Sequence, residues 1–310
     1  MNTTAIPRWS VPGAMLSDIK IAHSVFAMPF ALLGGAMAAW PPPGSGLEPV
    51  AGQRLVWIAV LVVAAMVAAR TAAMLSNRLL DRGIDARNPR TAGRPLAAGS
   101  ASAAAYGWGL AVSAAAVVAI ASVFWWAFSN PWPVMLSLPV LAWICAYGLF
   151  KRFSSLCHIW LGASLAISVP AAAVAVDPSA VASNASVWLL AGMVLCWVAG
   201  FDVIYALQDV EVDRAEGLHS MPARLGAAGA VAVSRSLHVA AVLLLLIVWT
   251  VDVRFGGVFL AGVCVVTTLL VIEHATLKSW GTSRMAVTFF TLNGIVACVL
   301  GAAGIADLVM

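Results

Sequence analysis

Asn77-Arg-Leu-Leu-Asp81-Arg-Gly-Ile-Asp85 closes one long apolar stretch, and Asp202-Val-Ile-Tyr205-Ala-Leu-Gln-Asp209-Val-Glu211-Val-Asp213 closes another. Carboxylates near hydrocarbon are costly, about 2.5–3.5 kcal/mol each at a helix centre on insertion scales. Something must offset that cost, and the spacing points to it. On a helix, residues four apart share a face. Asn77, Asp81 and Asp85 then form one oxygen row, and Asp202, Tyr205, Asp209 and Asp213 a second. Two such rows facing each other suit a hard divalent cation, most naturally Mg²⁺ bound together with a phosphorylated substrate. Glu211 and Glu216 fall off the second row and are expected to be solvated.

The stretches around these rows set the class. The chain has 310 residues, 62% of them hydrophobic and only 10% charged, with a mean hydropathy of +0.97. A soluble domain carries about 25% charged residues, so this composition belongs to a membrane protein. A hydrocarbon core of about 30 Å needs roughly 20 apolar residues per helical span. Nine spans are expected: Ile19–Trp40, Leu55–Met74, Ala103–Phe128, Pro133–Phe150, Leu156–Val176, Val187–Leu207, Leu237–Val251, Gly256–Ile272 and Met285–Val309. The runs are continuous rather than alternating, which argues against membrane strands. No soluble domain or linker is visible, so residues 1–310 read as one all-α integral-membrane domain. No nucleic-acid partner is expected; the expected surroundings are a lipid bilayer.

Topology follows from the basic residues. With nine spans, Lys20, Arg78, Arg82, Arg87, Arg90, Arg94, Lys151, Arg152, Arg214, Arg224, Arg235, Lys278 and Arg284 share one side, and only Arg54 and Arg254 take the other. The positive-inside rule puts the rich side in the cytoplasm, with the N-terminus in and the C-terminus out. A bacterial inner membrane is the expected location. Both acidic rows then face the cytoplasm. The five cysteines lie in or beside apolar spans without paired spacing, and the five histidines lack metal-ligand spacing. Disulfides and zinc are not expected.

Further residues extend the chemistry. Arg70 lies seven residues before Asn77, two turns deeper on the same stripe. An arginine at that depth needs an anionic partner, either an acidic side chain or a substrate carboxylate. In Asn88-Pro-Arg-Thr-Ala-Gly-Arg94-Pro-Leu, guanidinium groups and free backbone N–H groups suit phosphate oxygens. Lys20 opens the first span, and Tyr147 and Lys151 share a face at the end of the fourth, beside Arg152. Such lysines serve either as snorkelling anchors or as diphosphate ligands. Tyr205 offers either an interface anchor or a phenol for an oxygen or a cation. Together these parts suit departure of a diphosphate from an allylic carbon, with apolar and aromatic walls shielding the carbocation.

The paired motifs Asn77-x-x-x-Asp81-x-x-x-Asp85 and Asp202-x-x-Tyr205-x-x-x-Asp209-x-x-x-Asp213 resemble the signatures of the UbiA superfamily of intramembrane prenyltransferases. Ala22-His-Ser-Val-Phe-Ala-Met-Pro29-Phe, the Asn88–Leu96 loop, Lys151-Arg152-Phe and Gly217-Leu-His-Ser-Met-Pro-Ala-Arg224 extend the resemblance. It implies about nine helices around a central cavity, Mg²⁺ as cofactor and polyprenyl diphosphate as donor. By that resemblance Asn77, Asp81, Asp85, Asp209 and Asp213 hold the metal, with the four aspartates as catalytic residues. Lys20, Arg78, Lys151 and Arg152 hold diphosphate, and Arg70, Tyr147, Asp202 and Tyr205 shape the acceptor end. The segment Gln208–Arg224 is similar to the 4-hydroxybenzoate polyprenyltransferase-like branch, tied to ubiquinone or menaquinone biosynthesis. This implies an aromatic acid acceptor like 4-hydroxybenzoate, with a naphthoate-type acceptor as the main rival. The motif Gly217-Leu-His-Ser-Met-Pro departs from the more usual Gly-x-Lys-Ser-Thr. A CDP-alcohol phosphotransferase fits less well, because the Gly-Ala-Arg frame is missing, and a cation transporter would place its acids at mid-membrane breaks.

Overall fold

The computed structural model describes Gly13, Asp18, residues 26–46 and 48–310, and for 286–288 the backbone. Lys20 and residues 19–25 of the first expected span lie outside the described residues. Among the described residues the chain is helical, with no strand. In hydrocarbon every backbone N–H and C=O must be satisfied within its own segment, and long apolar runs achieve this only as helices.

The helices are α1 (Met28–Ala39), α2 (Gly52–Arg87), α3 (Ala103–Phe128), α4 (Trp132–Phe150), α5 (Cys157–Ala166), α6 (Ser168–Val176), α7 (Pro178–Ser183), α8 (Ala185–Tyr205), α9 (Val210–Ala215), α10 (Met221–Val251), α11 (Gly257–Trp280) and α12 (Leu292–Val309). Eight helical segments are long and apolar enough to cross a membrane, α5 with α6 counting as one and α8 running on through α9; α1 is a shorter apolar helix. This is close to the expected nine.

Several boundaries move outward. The second span is not a 20-residue helix followed by a separate acidic end. α2 is one helix of 36 residues, so Asn77, Asp81 and Asp85 are its last turns. No proline interrupts it before Pro89, and Thr71 satisfies its hydroxyl on the Val67 carbonyl at 2.7 Å. α10 likewise starts at Met221, 16 residues before the expected edge, and bends at Gly226. The second acidic row is less regular than its spacing implies. A 3-10 turn over Ala206–Asp209 separates α8 from α9, so Asp202 and Asp213 are not on one continuous α-helix.

The C-terminal ends of α2, α4 and α8 gather at one end of the bundle, here the acid end. α8 runs through the middle, packed against α5 and α10. Its Trp197 and Ile204 are each 1% exposed. Close approach of α5 needs Gly162, because a Cβ there would stand 2.4 Å from the Leu195 carbonyl oxygen. Such small residues let membrane helices pack without a hydrophobic drive. Polar groups also tie helices together behind α8. Trp197 Nε1 donates to Asn293 Oδ1 at 2.7 Å, and Asn293 Nδ2 donates to Glu273 Oε1 at 3.2 Å.

Candidate active site

Every carboxylate of the first row is held by a cation. Asp81, 3% exposed, accepts from Lys151 Nζ at 2.6 Å and from Arg152 at 3.4 Å. Asp85, 6% exposed, accepts from Arg94 Nη1 at 2.8 Å on both oxygens. Arg94 reaches back because the loop after α2 is wound into turns. Arg90 N–H donates to Asn88 Oδ1, Ala92 N–H to the Asn88 carbonyl, and Thr91 Oγ1 to the Asp85 carbonyl. Asn77 lies against Gly148 of α4, where a Cβ would sit 2.7 Å from the amide oxygen, so only glycine leaves that oxygen its place.

The second row is built the same way. Asp209 accepts from Arg90 through Nε at 2.9 Å and Nη2 at 2.5 Å, and from Asn88 Nδ2 at 2.9 Å. Burial, the largest single effect, would lower the Arg90 pKa, but the hydrogen bonds and charges of Asp209 and Tyr205 together outweigh it and hold it above its ordinary value. Arg90 also donates to the Tyr205 hydroxyl at 3.1 Å and lies 5.4 Å from that ring's centroid. Asp202 is 2.6 Å from His158 Nδ1. The Met221 N–H donates to His158 Nε2 at 3.2 Å, which leaves Nδ1 as the donor to Asp202. Asp213 uses its backbone carbonyl to accept from Leu218 N–H at 2.7 Å.

Three cross-links bring the two rows together at the acid end. Lys151, which binds Asp81, also accepts from His219 N–H on its backbone carbonyl at 2.7 Å, and its charge reaches Asp213. Asn88 and Arg90 join the end of α2 to Asp209. Arg87 pairs with Glu216, holding that carboxyl below its ordinary pKa. Glu216 is therefore an inter-row partner and not the solvated side chain its position in sequence implied.

Arg78 is paired with Asp18. It is 6% exposed and donates through Nε to Asp18 at 3.2 Å, and Tyr106 donates to the same carboxylate at 2.8 Å. The guanidinium groups of the Asn88–Leu96 loop are expected at phosphate from the sequence, but nothing in the spacing tells that Arg90 meets Asp209 and Arg94 meets Asp85. His158 and Asp18 carry no such signal in the sequence. Among the described residues, no three His, Cys, Asp or Glu side chains converge as a metal-binding group.

Beneath the rows lies a cavity of about 520 Å³. Tyr147 and Arg70 line its end nearest the acids. Tyr147 lies within electrostatic reach of Arg70, Arg78, Asp81 and Asp202, so this end of the cavity adjoins both rows. Arg70 Nε is buried with no hydrogen-bond partner, and among the described residues no carboxylate forms an ion pair with Arg70. Of the two partners expected for this arginine, the acidic side chain is therefore not found.

These features define an intramembrane helical bundle that sets two acidic helix ends over an apolar cavity. Residues 27–295 match the UbiA prenyltransferase family, and the chain belongs to that family. The apo structure of a UbiA homolog from Aeropyrum pernix K1 is similar with a TM-score of 0.78 at 32% identity, covering 93% of this chain and 98% of that one. A UbiA homolog from Archaeoglobus fulgidus, solved bound to GPP and Mg²⁺, shares the fold with a TM-score of 0.67 at 18% identity, covering 96% of this chain and 100% of that one. A relative from Paracidovorax citrulli named 4-hydroxybenzoate octaprenyltransferase is 34% identical over 157 residues, 51% of this chain and 50% of that protein. The match thus spans about half the length of that relative.

Proposed function

We propose that the protein transfers the prenyl group of a polyprenyl diphosphate to a ring carbon of an aromatic acid like 4-hydroxybenzoate, as a step of quinone biosynthesis. The single observation behind this reading is the joining of three parts. Two cross-linked acid-and-base rows meet the end of an apolar cavity, and a buried arginine with no carboxylate partner among the described residues stands at the junction. The rows suit a diphosphate, the cavity an isoprenoid, and Arg70 an acceptor carboxylate. Residues 1–310 act as one domain, with the acid end facing the cytoplasm as the basic residues require.

The residues fit magnesium. The donors at Asn77, Asp81, Asp85, Asp209 and Asp213 are all hard oxygens, the type Mg²⁺ selects. Lysine and arginine nitrogens already occupy the carboxylates of Asp81, Asp85 and Asp209, which marks these as places built for positive charge. When bound there, magnesium would offset the charge of the departing diphosphate. Lys151, Arg152, Arg90 and Arg94 have long side chains that can turn from carboxylate to phosphate oxygens; Lys20 is assigned the same role. Arg78, held by Asp18, fixes the last turns of α2. The allylic C–O bond breaks with its electron pair leaving on diphosphate. The ring carbon then bonds to the allylic carbon, and the ring proton passes to water or to the departed diphosphate. Tyr147, Tyr205 and Asp202 border the acceptor end, with His158 orienting Asp202.

The relative named 4-hydroxybenzoate octaprenyltransferase supports the acid acceptor, and the A. fulgidus structure with GPP and Mg²⁺ supports the donor and the metal. Family membership favours prenyl transfer over the CDP-alcohol and cation-transport alternatives. A naphthoate acceptor is separated by offering each acid in turn. For Arg70, the expected result of Arg70→Met is an acceptor KM raised about 10- to 100-fold, the worth of one charge-assisted hydrogen bond, with the donor KM little changed. Steady-state rates at varied concentrations of each substrate give the two constants. A donor KM that rises more than the acceptor KM would reassign Arg70 to the diphosphate.

A further inference from the structure

The end of the bundle opposite the acids carries a second pocket, of mixed charge. Arg54 stands in the first turn of α2, ~40 Å of helix rise from Asp81. With Phe128, Asn130, Trp132 and Asp177 it lines a pocket of about 390 Å³. That volume falls among small-ligand sites, roughly 300–1,000 Å³. Exposed indoles cluster at this end: Trp57 one turn along α2, Trp125 and Trp126 in the last turn of α3, and Trp132 at the start of α4. Such tryptophans collect at the headgroup level of a bilayer. The pocket therefore opens where phospholipid headgroups lie.

Its charges are not used within the protein. Arg254, the other arginine at this end, is held by Asp252 at 2.6 Å. Arg54 has no carboxylate partner among the described residues, and its guanidinium lies over the Phe128 ring, 5.8 Å from the centroid. Asp177 caps α7, its Oδ1 accepting from the Ser179 N–H at 2.9 Å and hydroxyl at 2.7 Å. No cation pairs with it among the described residues. A cation and an anion thus border one space without meeting each other. A lone phosphate would be drawn by Arg54 and repelled by Asp177, and a lone amine the reverse. A headgroup carrying both charges suits both. We propose that this pocket binds a zwitterionic phospholipid of the phosphatidylethanolamine kind, with its phosphate on Arg54 and its primary ammonium on Asp177. Ammonium N–H groups donate to a carboxylate, which a quaternary ammonium cannot do. The site is separate from the acid rows, and the inference does not depend on the prenyl-transfer reading.

The test uses the full-length protein purified in detergent. It is mixed with equal amounts of phosphatidylethanolamine, phosphatidylcholine and phosphatidylglycerol of matched acyl chains, and native mass spectrometry counts the lipid retained. The ethanolamine lipid is expected to be retained about tenfold over each of the others, the worth of one charge-assisted hydrogen bond. Arg54→Gln is expected to lower its retention about tenfold. Asp177→Asn, which keeps the cap of α7, is expected to remove the preference for the ethanolamine lipid. Glu48→Gln, exposed at the same end but outside the pocket, is expected to leave the profile as it is. Melting curves in detergent show that each variant is folded. Equal retention of the three lipids by the unmodified protein overturns the proposal. So does an unchanged profile in both pocket variants, or an equal change in Glu48→Gln, which reduces the effect to surface charge at large. A loss in Arg54→Gln with the ethanolamine preference intact in Asp177→Asn leaves a phosphate contact only and overturns the zwitterion assignment.

Discussion

Replacing Asp81 or Asp209 with asparagine is expected to lower product formation about a thousandfold while the protein stays folded. The two residues make the same point from different helices. Asp81 sits on α2 under Lys151 and Arg152; Asp209 follows α8 under Arg90 and Asn88. Asparagine keeps the shape and one acceptor oxygen but removes the charge that a divalent cation needs. The fold should survive both changes, because Lys151, Arg152 and Arg90 are each partly exposed and can turn to solvent when the carboxylate is removed. Glu211→Gln serves as the comparison, since Glu211 is exposed on α9. Labelled-acceptor assays on purified variants, with melting curves in detergent, read both quantities. Turnover at the unmodified rate by either aspartate variant would remove the metal-diphosphate role of that row.

The second large effect is expected at Lys151. Its ammonium is the link between the rows, bonded to Asp81 and in charge range of Asp213, while its carbonyl anchors His219. Lys151→Met keeps the apolar stem and the backbone bond and deletes only the charge. The expected loss is about a hundredfold in kcat/KM for the diphosphate donor, with the acceptor KM unmoved. Lys151→Arg, which keeps the charge in a different shape, should recover part of it. Rates measured against donor concentration give the answer. Unchanged donor kinetics in Lys151→Met would make this lysine an anchor at the membrane surface and nothing more.

The parts of this molecule that sequence makes legible are those governed by period and composition. Asn77, Asp81 and Asp85 fall on one face because four-residue steps on an uninterrupted helix must do so, and α2 is uninterrupted. The second row reads correctly as to end and neighbourhood but not as to helix, because the 3-10 turn at Ala206–Asp209 has no Gly or Pro to announce it. Arg70 is legible as an arginine too deep to be idle. The pairings are not legible. Arg94 meets Asp85, and Arg90 meets Asp209 across more than a hundred residues, because the loop after α2 folds back on Asn88 and Thr91. Likewise Arg78, beside the carboxylates in sequence, turns to Asp18 and Tyr106. Helix rotation sets that choice, and only packing fixes rotation. His158 shows the same limit, since its bond to Asp202 depends on α5 lying against α8 at Gly162.

The measurement that bears most directly on all of this is transfer itself. Membranes holding the protein are given polyprenyl diphosphate, labelled 4-hydroxybenzoate and Mg²⁺, and the apolar extract is counted. The account predicts labelled lipid that disappears with EDTA, returns with added Mg²⁺ and is absent in Asp209→Asn. Undiminished turnover in EDTA, or no labelled lipid from any aromatic acid offered, would contradict it.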